Sequence, residues 1–328
     1  MKSATIVSVL TVFLSYCVIL PLAYAEVVGA WTFDRGEPNQ EAQGRIEDVS
    51  GNGHHGKIVG RVKWKHGKRG TALEFFEVEG EAGAEWPGWV EIPHHDDFNL
   101  LEFSLSGWVR IPELASQPLN DGFCNNPCGD VTDLSANQML FGKTSHLARC
   151  NYAMWVSDAG KGGEQRRGEQ GHVTFGFTAQ QPRVSRVYVD ETKKRAAVVD
   201  GKWHHVVGTY SEPNLVLYVD GQVVGRRENE KLADLAKKNK IVPLPGFAAL
   251  GGGKFAPFMI GCQIIGRSTK GQRPSYGTAG VIDEVAVFNH ALAEGEVTTL
   301  WRQGLLQYLA VEARGKLATT WGKIKRPK

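Results

Sequence analysis

The stretch Phe103–Ile111 reads FSLSGWVRI and alternates between large apolar residues and small or polar ones over most of its length. Successive side chains of a β-strand point to opposite faces, so this alternation places four apolar side chains on one face. They are Phe103, Leu105, Val109 and Ile111. A strand with one apolar face is typical of an antiparallel sheet that covers a hydrophobic core.

Short runs rich in β-branched and aromatic residues recur along the chain, separated by glycine, proline, asparagine and aspartate. This pattern is typical of a β-sandwich. Asp220 and Gly221 predict a tight hairpin between Leu215–Val219 and Gln222–Val224, because such a turn needs positive φ angles. Helical spacing predicts one short helix within Ala291–Trp301. The other predicted strands are Val27–Phe33, Thr71–Phe76, Trp89–Ile92, Tyr152–Val156, Val173–Phe177, Trp203–Tyr210, Phe258–Ile265 and Val281–Phe288.

The N-terminus has the order of charge, apolar core and small residues that is typical of a secretory signal peptide. Lys2 precedes the apolar run Ile6–Leu22, and the small-x-small sequence Ala23–Ala25 follows it. We therefore expect residues 1–25 to be removed and the protein to be secreted, periplasmic or at the cell surface. An uncleaved anchor is the alternative. No later stretch is long and apolar enough to span a bilayer, so no membrane span is expected after cleavage.

Residues 26–302 are predicted to form one domain, because single β-sandwiches often reach about 200–250 residues. Two polar or glycine-rich stretches, near 114–137 and 228–257, are interpreted as insertions. The basic residues of 303–328 predict a solvated or loosely docked tail. The net charge of +3 is too small to indicate a polyanion, so no nucleic-acid partner is expected.

The cysteines fit an exported protein. Removal of the signal segment with Cys17 leaves four of the five, namely Cys124, Cys128, Cys150 and Cys262. An even number in an oxidising compartment predicts two disulfides, and three pairings are open. A zinc site is the rival interpretation, but no second close pair of cysteine or histidine follows the pair Cys124 and Cys128.

Five motifs follow one another in an order that resembles a known family. They are Trp31–Asp34 followed by Asp48–Gly56, Gly70–Phe75, Phe103–Val109, Trp203–Tyr210 followed by Leu217–Gly221, and Gly280–Leu292. Together they resemble the bacterial laminin-G-like group of pentraxin and concanavalin A-like domains, over Val27–Trp301. The resemblance implies an all-β fold, a concanavalin A-like jelly-roll sandwich of two antiparallel sheets with one short C-terminal helix.

Similar domains often hold a structural calcium ion between the N-terminal loop and the late Ile-Asp-Glu strand. The resemblance therefore implies that Asp48, Asn52 and Asp283 bind calcium, with Asp34 as a fourth ligand. Calcium takes six to eight oxygen ligands, which carboxylates and amides supply. The alternative is that Asp48 and Asn52 only make hydrogen bonds within a turn.

The histidines occur as the pairs His54–His55, His94–His95 and His204–His205. Neighbouring residues of a strand point to opposite faces and cannot easily share one ion, so we expect no histidine metal site. A sugar ligand would need exposed rings beside polar groups, and Trp155, Tyr188, Arg267 and Tyr276 are the candidates for ligand binding. Buried packing is the alternative for each ring.

The family includes sugar-binding modules, adhesion modules and domains appended to secreted hydrolases, and one fold hosts many functions. We expect a secreted, non-catalytic binding or adhesion module whose partner is a glycan or an extracellular protein. Concanavalin A-like glucanases usually carry Glu-x-Asp-x-x-Glu on one strand, and no such run occurs here. An extracellular glycoside hydrolase on the same fold and a structural envelope protein are the alternatives.

Overall fold

The computed structural model describes residues 27–75, 88–112, 137–144, 150–157, 171–179, 185–190, 197–228, 257–268, 271–275 and 277–311. The predicted signal segment and most of both predicted insertions lie outside these residues. The described strands form two eight-stranded antiparallel sheets and a separate two-stranded ribbon. The predicted antiparallel sandwich is therefore confirmed. Within the described residues, no helix has the length and apolar character that a membrane crossing requires.

The strands are named here in chain order. They are β1 Val27–Trp31, β2 Arg45–Ile46, β3 Gly56–Val59, β4 Lys63–His66, β5 Thr71–Glu74, β6 Trp89–Ile92, β7 Phe103–Arg110, β8 Asn137–Thr144, β9 Cys150–Ser157, β10 His172–Ala179, β11 Ser185–Asp190, β12 His204–Ser211, β13 Asn214–Val219, β14 Gln222–Glu228, β15 Phe258–Ile260, β16 Gln263–Ser268, β17 Gly271–Ser275 and β18 Val281–Phe288. A 3₁₀ turn, Asp96–Phe98, precedes β7.

The two large sheets pack face to face. The front sheet has the strand order β14-β13-β12-β7-β18-β5-β4, and β1 also pairs with β18. The back sheet has the order β11-β10-β9-β8-β15-β6-β3-β2, and β16 pairs with β17. The many crossovers between strands that are distant in sequence are those of a jelly roll.

The core lies between the sheets and confirms the predicted face of β7. The predicted inward residues of this strand and of the adjoining bridge, Phe103, Leu105, Val109 and Ile111, are all fully buried. The Phe103 ring lies 4.6 Å from that of Tyr152 across the sandwich. At Gly107 a Cβ atom would lie 2.7 Å from the Phe141 ring, so the close approach of the sheets requires glycine there.

The C-terminal helix α1, Glu294–Gln303, packs on the outer face of the front sheet. Its Val297 and Leu300 lie in a buried cluster with residues of β1, β12, β13 and β18. Its N-cap residue Ala293 makes no side-chain cap bond, but Glu296 Oε2 accepts a hydrogen bond from the Ala293 N–H at 2.8 Å. Residues 305–311 form a further helical stretch, and Leu305 and Tyr308 are buried in the same cluster. The packed part of the chain thus continues into the segment interpreted as a tail.

The hairpin at β13 and β14 is confirmed. Asp220 and Gly221 have φ angles of 51° and 75°, the left-handed values that such a turn requires. Strands β2, β3, β4, β8, β11 and β17 were not predicted. Several of them carry charged, amide or glycine residues, such as Lys63–His66 and Asn137–Thr144, which weaken a strand pattern.

Candidate functional site

The loop Asp48–His55 is held on β1 by its polar side chains. The Asp48 carboxylate accepts three backbone N–H bonds, at 3.0 Å from Ala30, 2.9 Å from Ser50 and 2.9 Å from His54. The Asn52 amide nitrogen donates to the Val27 and Val28 carbonyls at 2.6 and 3.0 Å. Backbone bonds of this kind are those of a structured turn.

The motif Asp283-Glu284 sits at a β-bulge of β18 opposite β7, where Glu284 has a φ of 47°. Asp283 Oδ2 accepts the N–H groups of Lys68 and Arg69 at 2.8 and 3.1 Å, so it holds the turn between β4 and β5. Glu284 lies 3.0 Å from the Arg69 guanidinium and accepts the Leu305 N–H at 3.2 Å. At the bulge both adjacent carboxylates therefore contact Arg69, and Glu284 also reaches Leu305.

Burial dominates the electrostatics of this pair. It raises the pKa of Asp283 to about 8, against the opposing effect of its backbone hydrogen bonds. Burial also raises the pKa of Glu284, while the Arg69 guanidinium opposes that rise. A carboxyl group with a raised pKa is a feature of general acids, but structural networks produce it as well. Asp283 has no exposed surface and accepts hydrogen bonds from three backbone N–H groups, so its raised pKa is attributed to a structural role.

The predicted calcium ligands fall into two groups. Asp34 lies beside Gly70 and its Oδ1 accepts the Thr71 N–H at 3.1 Å, on the same turn that Asp283 holds. Asp48 and Asn52 lie in the loop that bonds to the start of β1. Among the described residues, the three aspartates do not form a trio with oxygens within 4.8 Å of one another. The four side chains are therefore not gathered around one point, and calcium binding stays a prediction.

One trio of metal-type ligands does converge within the described residues. His54, His95 and Asp97 each offer one ligand atom, and these atoms lie within 4.8 Å of one another. His54 Nε2 is 3.0 Å and His95 Nδ1 is 3.2 Å from Asp97 Oδ2. We call these three residues the His–Asp cluster. The two histidines come from different sequence pairs. Only neighbouring histidines were considered from the sequence, so this contact was not predicted.

A buried lysine lies behind the His–Asp cluster. Lys143 Nζ is 3.0 Å from His94 Nδ1 and donates to Asn99 Oδ1 at 2.9 Å. Burial lowers the pKa of Lys143 to about 8, and Asp96 opposes the change. Burial, then the charge of Lys143, lowers the pKa of His94. The segment from His94 to Asn99 therefore presents polar groups both to the interior and to solvent.

An open cleft of about 190 Å³ lies between the end of β1, the start of the Asp48–His55 loop, β4 and the second helical stretch. Its apolar wall includes Phe33, Trp64 and Leu306, and its polar groups are Thr32, Asp34, Arg35 and Glu47. Arg35 and Glu47 form an ion pair at the surface. Sequence reasoning missed this cleft, because its residues are brought together from four separate segments.

The predicted ligand-binding residues are described unevenly. Trp155 on β9 is partly exposed and packs beside Met139 and Ala153, and its register partner on β10 is Thr174. Tyr188 lies on β11 of the back sheet, where its backbone pairs with that of Gly176 on β10. Arg267 lies on β16, and its side chain lies outside the described residues, as does Tyr276 altogether. Only Trp155 can therefore be placed as a partly exposed ring.

The predicted disulfides fall largely outside the described part of the chain. Cys124 and Cys128 are not described, and of Cys150 only the backbone in β9 is. Cys262 is buried beside Trp89 and Met259. The disulfide prediction is not tested by these residues.

His204 is held between two aspartates at the β13–β14 turn. Its Nδ1 lies 2.8 Å from Asp220 Oδ2, and its Nε2 lies 3.0 Å from Asp200 Oδ1. Hydrogen bonding to Asp220 raises the pKa of His204, although burial opposes the rise. Asp220 Oδ1 also accepts the His205 N–H at 2.9 Å, so the charged group stabilises the hairpin.

These features define the class of protein: an antiparallel jelly-roll sandwich with a helix on one outer face and polar loops at its edges. Residues 87–298 match the Laminin_G_3 family, described as the concanavalin A-like lectin/glucanases superfamily. The chain belongs to this family, as the sequence motifs predict. A comparison with curated protein sequences found no significant match.

Solved structures confirm the fold. The binding domain of Paraclostridial Mosquitocidal Protein 1 aligns with a TM-score of 0.50 at 13% identity, over 85% of this chain and 52% of that one. The binding domain of Botulinum neurotoxin DC, in complex with rat synaptotagmin II, aligns with a TM-score of 0.51 at 11% identity and the same coverages. This chain thus spans about half the length of those toxin domains. A third structure is Domain 4 of AbnA, a GH43 extracellular arabinanase from Geobacillus stearothermophilus, in complex with arabinotriose. It aligns with a TM-score of 0.45 at 17% identity, over 85% of this chain and 100% of that one.

We predict that His204→Gln lowers stability more at pH 5.5 than at pH 9. The folded-state pKa of His204 is raised, so its charged form contributes fully below the unfolded pKa of about 6.5, and this contribution is lost as the pH rises through the folded pKa. The expected difference in unfolding free energy between the two pH values is about 1–2 kcal/mol, measured by denaturant unfolding. The exposed His66, changed to Gln, serves as the control. Equal losses for His204→Gln at both pH values would contradict the assignment.

Proposed function

We propose that this protein is a non-catalytic binding module that recognises a glycan, and that the cleft beside Trp64 is its binding site. The cleft is the observation that carries the proposal, since it combines an aromatic and aliphatic wall with charged groups at its rim. Small-ligand sites are typically concave and apolar with a few polar groups that fix orientation. An extracellular protein ligand and a structural envelope role are the alternatives.

The cleft fits a sugar better than a purely apolar ligand. A sugar ring offers apolar C–H faces for contact with Phe33, Trp64 and Leu306, and hydroxyl groups for the rim. Arg35 and Glu47 are 66% and 35% exposed in their side chains, so both keep hydrogen-bonding capacity toward solvent. Trp64 is buried apart from a small part of its surface, so it contributes a rigid wall rather than an open stacking platform.

Membership of the lectin and glucanase superfamily supports a carbohydrate ligand but leaves binding and hydrolysis open. The hydrogen bonding of the buried carboxylates favours binding. Asp48 and Asp283 each accept three backbone N–H groups, which is a role in folding. The solved structures with the same fold include toxin binding domains.

We further propose a structural calcium ion at the loop Asp48–His55, with Asp48 and Asn52 as the side-chain ligands. The available donors are the amide oxygen of Asn52 and the second lone pair of Asp48 Oδ2, because Asp48 Oδ1 already accepts two backbone N–H groups. Asp34 and Asp283, the other two predicted ligands, accept backbone N–H groups of the turn between β4 and β5 and of Thr71 next to it.

Export and two disulfides among Cys124, Cys128, Cys150 and Cys262 complete the proposal. The signal-like order of residues 1–25 supports export, and an oxidising compartment supports disulfides. Such a location also suits a module that recognises surface glycans.

The binding proposal predicts that Arg35→Ala weakens the affinity for a glycan found by array screening at least tenfold. Loss of a charged hydrogen-bonding group of the site removes about 1.5–3 kcal/mol. Arg226, which forms an exposed ion pair with Glu294 elsewhere, changed to Ala is the matched control. The affinities of all variants are measured by titration calorimetry. A further variant, Trp155→Ala, tests whether the glycan binds the exposed surface of the back sheet instead. Weakening by Trp155→Ala alone would move the ligand to that surface, and no hit on the array would contradict glycan recognition.

The calcium proposal predicts a rise of about 5–10 °C in the midpoint of thermal unfolding when calcium exceeds its dissociation constant a hundredfold. The ion binds the folded loop and not the unfolded chain, so the rise should disappear in Asp48→Asn. Asp96→Asn, at an exposed carboxylate outside the proposed ligands, should keep it. An unchanged midpoint for the metal-free protein after calcium addition would exclude the site.

The export proposal predicts a single mass for the protein recovered from an expressing bacterium with a secretion pathway. The mass should match a chain beginning at Glu26 and lacking four hydrogens, because two disulfides form after cleavage. Reduction should restore the four hydrogens. A full-length mass, or an exported chain with four titratable thiols, would contradict cleavage or disulfide formation respectively.

A further inference from the structure

We propose that the His–Asp cluster is a binding site for a divalent transition-metal ion of the zinc type. The site is formed by His54, His95 and Asp97, and it is distinct from the proposed calcium site in its ligands and its chemistry. Two imidazoles and one carboxylate are a ligand set that suits zinc, copper or nickel, whereas calcium prefers oxygen ligands. Three protein ligands leave a fourth position for water or an external ligand.

The distances fit a metal ion at the centre of the trio. Ligand atoms about 2.0–2.1 Å from a tetrahedral ion lie about 3.3 Å from one another. Asp97 Oδ2 lies 3.0 Å from His54 Nε2 and 3.2 Å from His95 Nδ1. The third separation is within 4.8 Å, so a small closing movement of the two rings would complete the geometry.

The Nδ1 atom of His95 faces the other two ligand atoms. It accepts a hydrogen bond from the Asp97 backbone N–H at 3.3 Å and lies 3.2 Å from Asp97 Oδ2. Both separations are at the long end of the hydrogen-bond range, so an ion bound at Nδ1 would displace a weak contact.

Hydrogen bonds and aromatic packing hold the His–Asp cluster in place. The His54 N–H donates to Asp48 Oδ2 at 2.9 Å, and the His54 carbonyl accepts the Trp31 Nε1–H at 2.9 Å, so the backbone of His54 is fixed on both sides. Phe98, which follows Asp97, is fully buried, and its ring lies 4.9 Å from that of His54. Ligands held by neighbouring packing and hydrogen bonds retain their geometry before the ion arrives.

The exposure of the cluster leaves a route for the ion. The His54 side chain is 6% exposed, whereas those of His95 and Asp97 are 57% and 53% exposed. One buried ligand therefore forms the base of the site, and two surface ligands form its rim. An ion bound there would keep its fourth position toward solvent, where a donor group of a ligand could reach it.

The test uses the untagged, metal-free mature protein, titrated with zinc by calorimetry and with cobalt by visible absorption. We expect one equivalent of zinc to bind, and cobalt to give the d–d bands of a low-coordinate site. His95→Ala and Asp97→Asn should each weaken zinc binding at least tenfold while far-UV circular dichroism stays unchanged. These variants alter exposed side chains, so they avoid the packing loss expected for His54→Ala.

His66→Ala removes an exposed histidine outside the cluster and should bind zinc as the unaltered protein does. A large excess of calcium should not displace the zinc, because imidazole is a poor ligand for calcium. No bound zinc at one equivalent, or tight binding retained in both His95→Ala and Asp97→Asn, would overturn the proposal. In that case the contact between His54 and Asp97 only stabilises the fold.

Discussion

The buried carboxylate of Asp283 is the contact on which the arrangement around the front sheet depends. It bonds to the N–H groups of Lys68 and Arg69 and so fixes the β4–β5 turn against the central strand β18. Its neighbour Glu284 continues the connection to the Arg69 guanidinium and to the Leu305 N–H. One bulge therefore joins a hairpin, a central strand and the second helical stretch. The left-handed φ of Glu284 is a local strain of about 1–3 kcal/mol that these bonds offset.

The same contact gives a family motif a direct role in the fold. Asp283 was expected to bind calcium because similar domains place an ion near this strand. In this chain the carboxylate is fully buried and already bonded to the backbone. In this chain the motif therefore contributes to assembly of the sandwich, and calcium binding by Asp283 stays a prediction. Asp48 shows the same behaviour at the other loop, where its three backbone partners lock the turn onto β1 and its neighbourhood.

Much of the fold could be predicted from the sequence, because period-two alternation and turn residues are local features. The predicted bounds of β6 and β18 agree with the structure, and the inward face of β7 is as expected. Strands such as β4 and β8 were not predicted because they contain lysine, glutamine or asparagine, which weaken a strand pattern. The polar side chains find hydrogen-bond partners only in the folded protein. Lys143 is the clearest case, since its buried amine depends on Asn99 and His94 from a distant loop.

The cleft and the His–Asp cluster could not be predicted from the sequence, because each joins residues that are distant along the chain. Both involve residues of one loop. His54 meets Asp97 across 43 residues of sequence, and the cleft joins four segments. Glu47 and Val49 line the cleft, while His54 enters the His–Asp cluster, and Asp48 bonds between them to β1. An ion held by His54 would therefore restrain the chain that also forms one wall of the cleft.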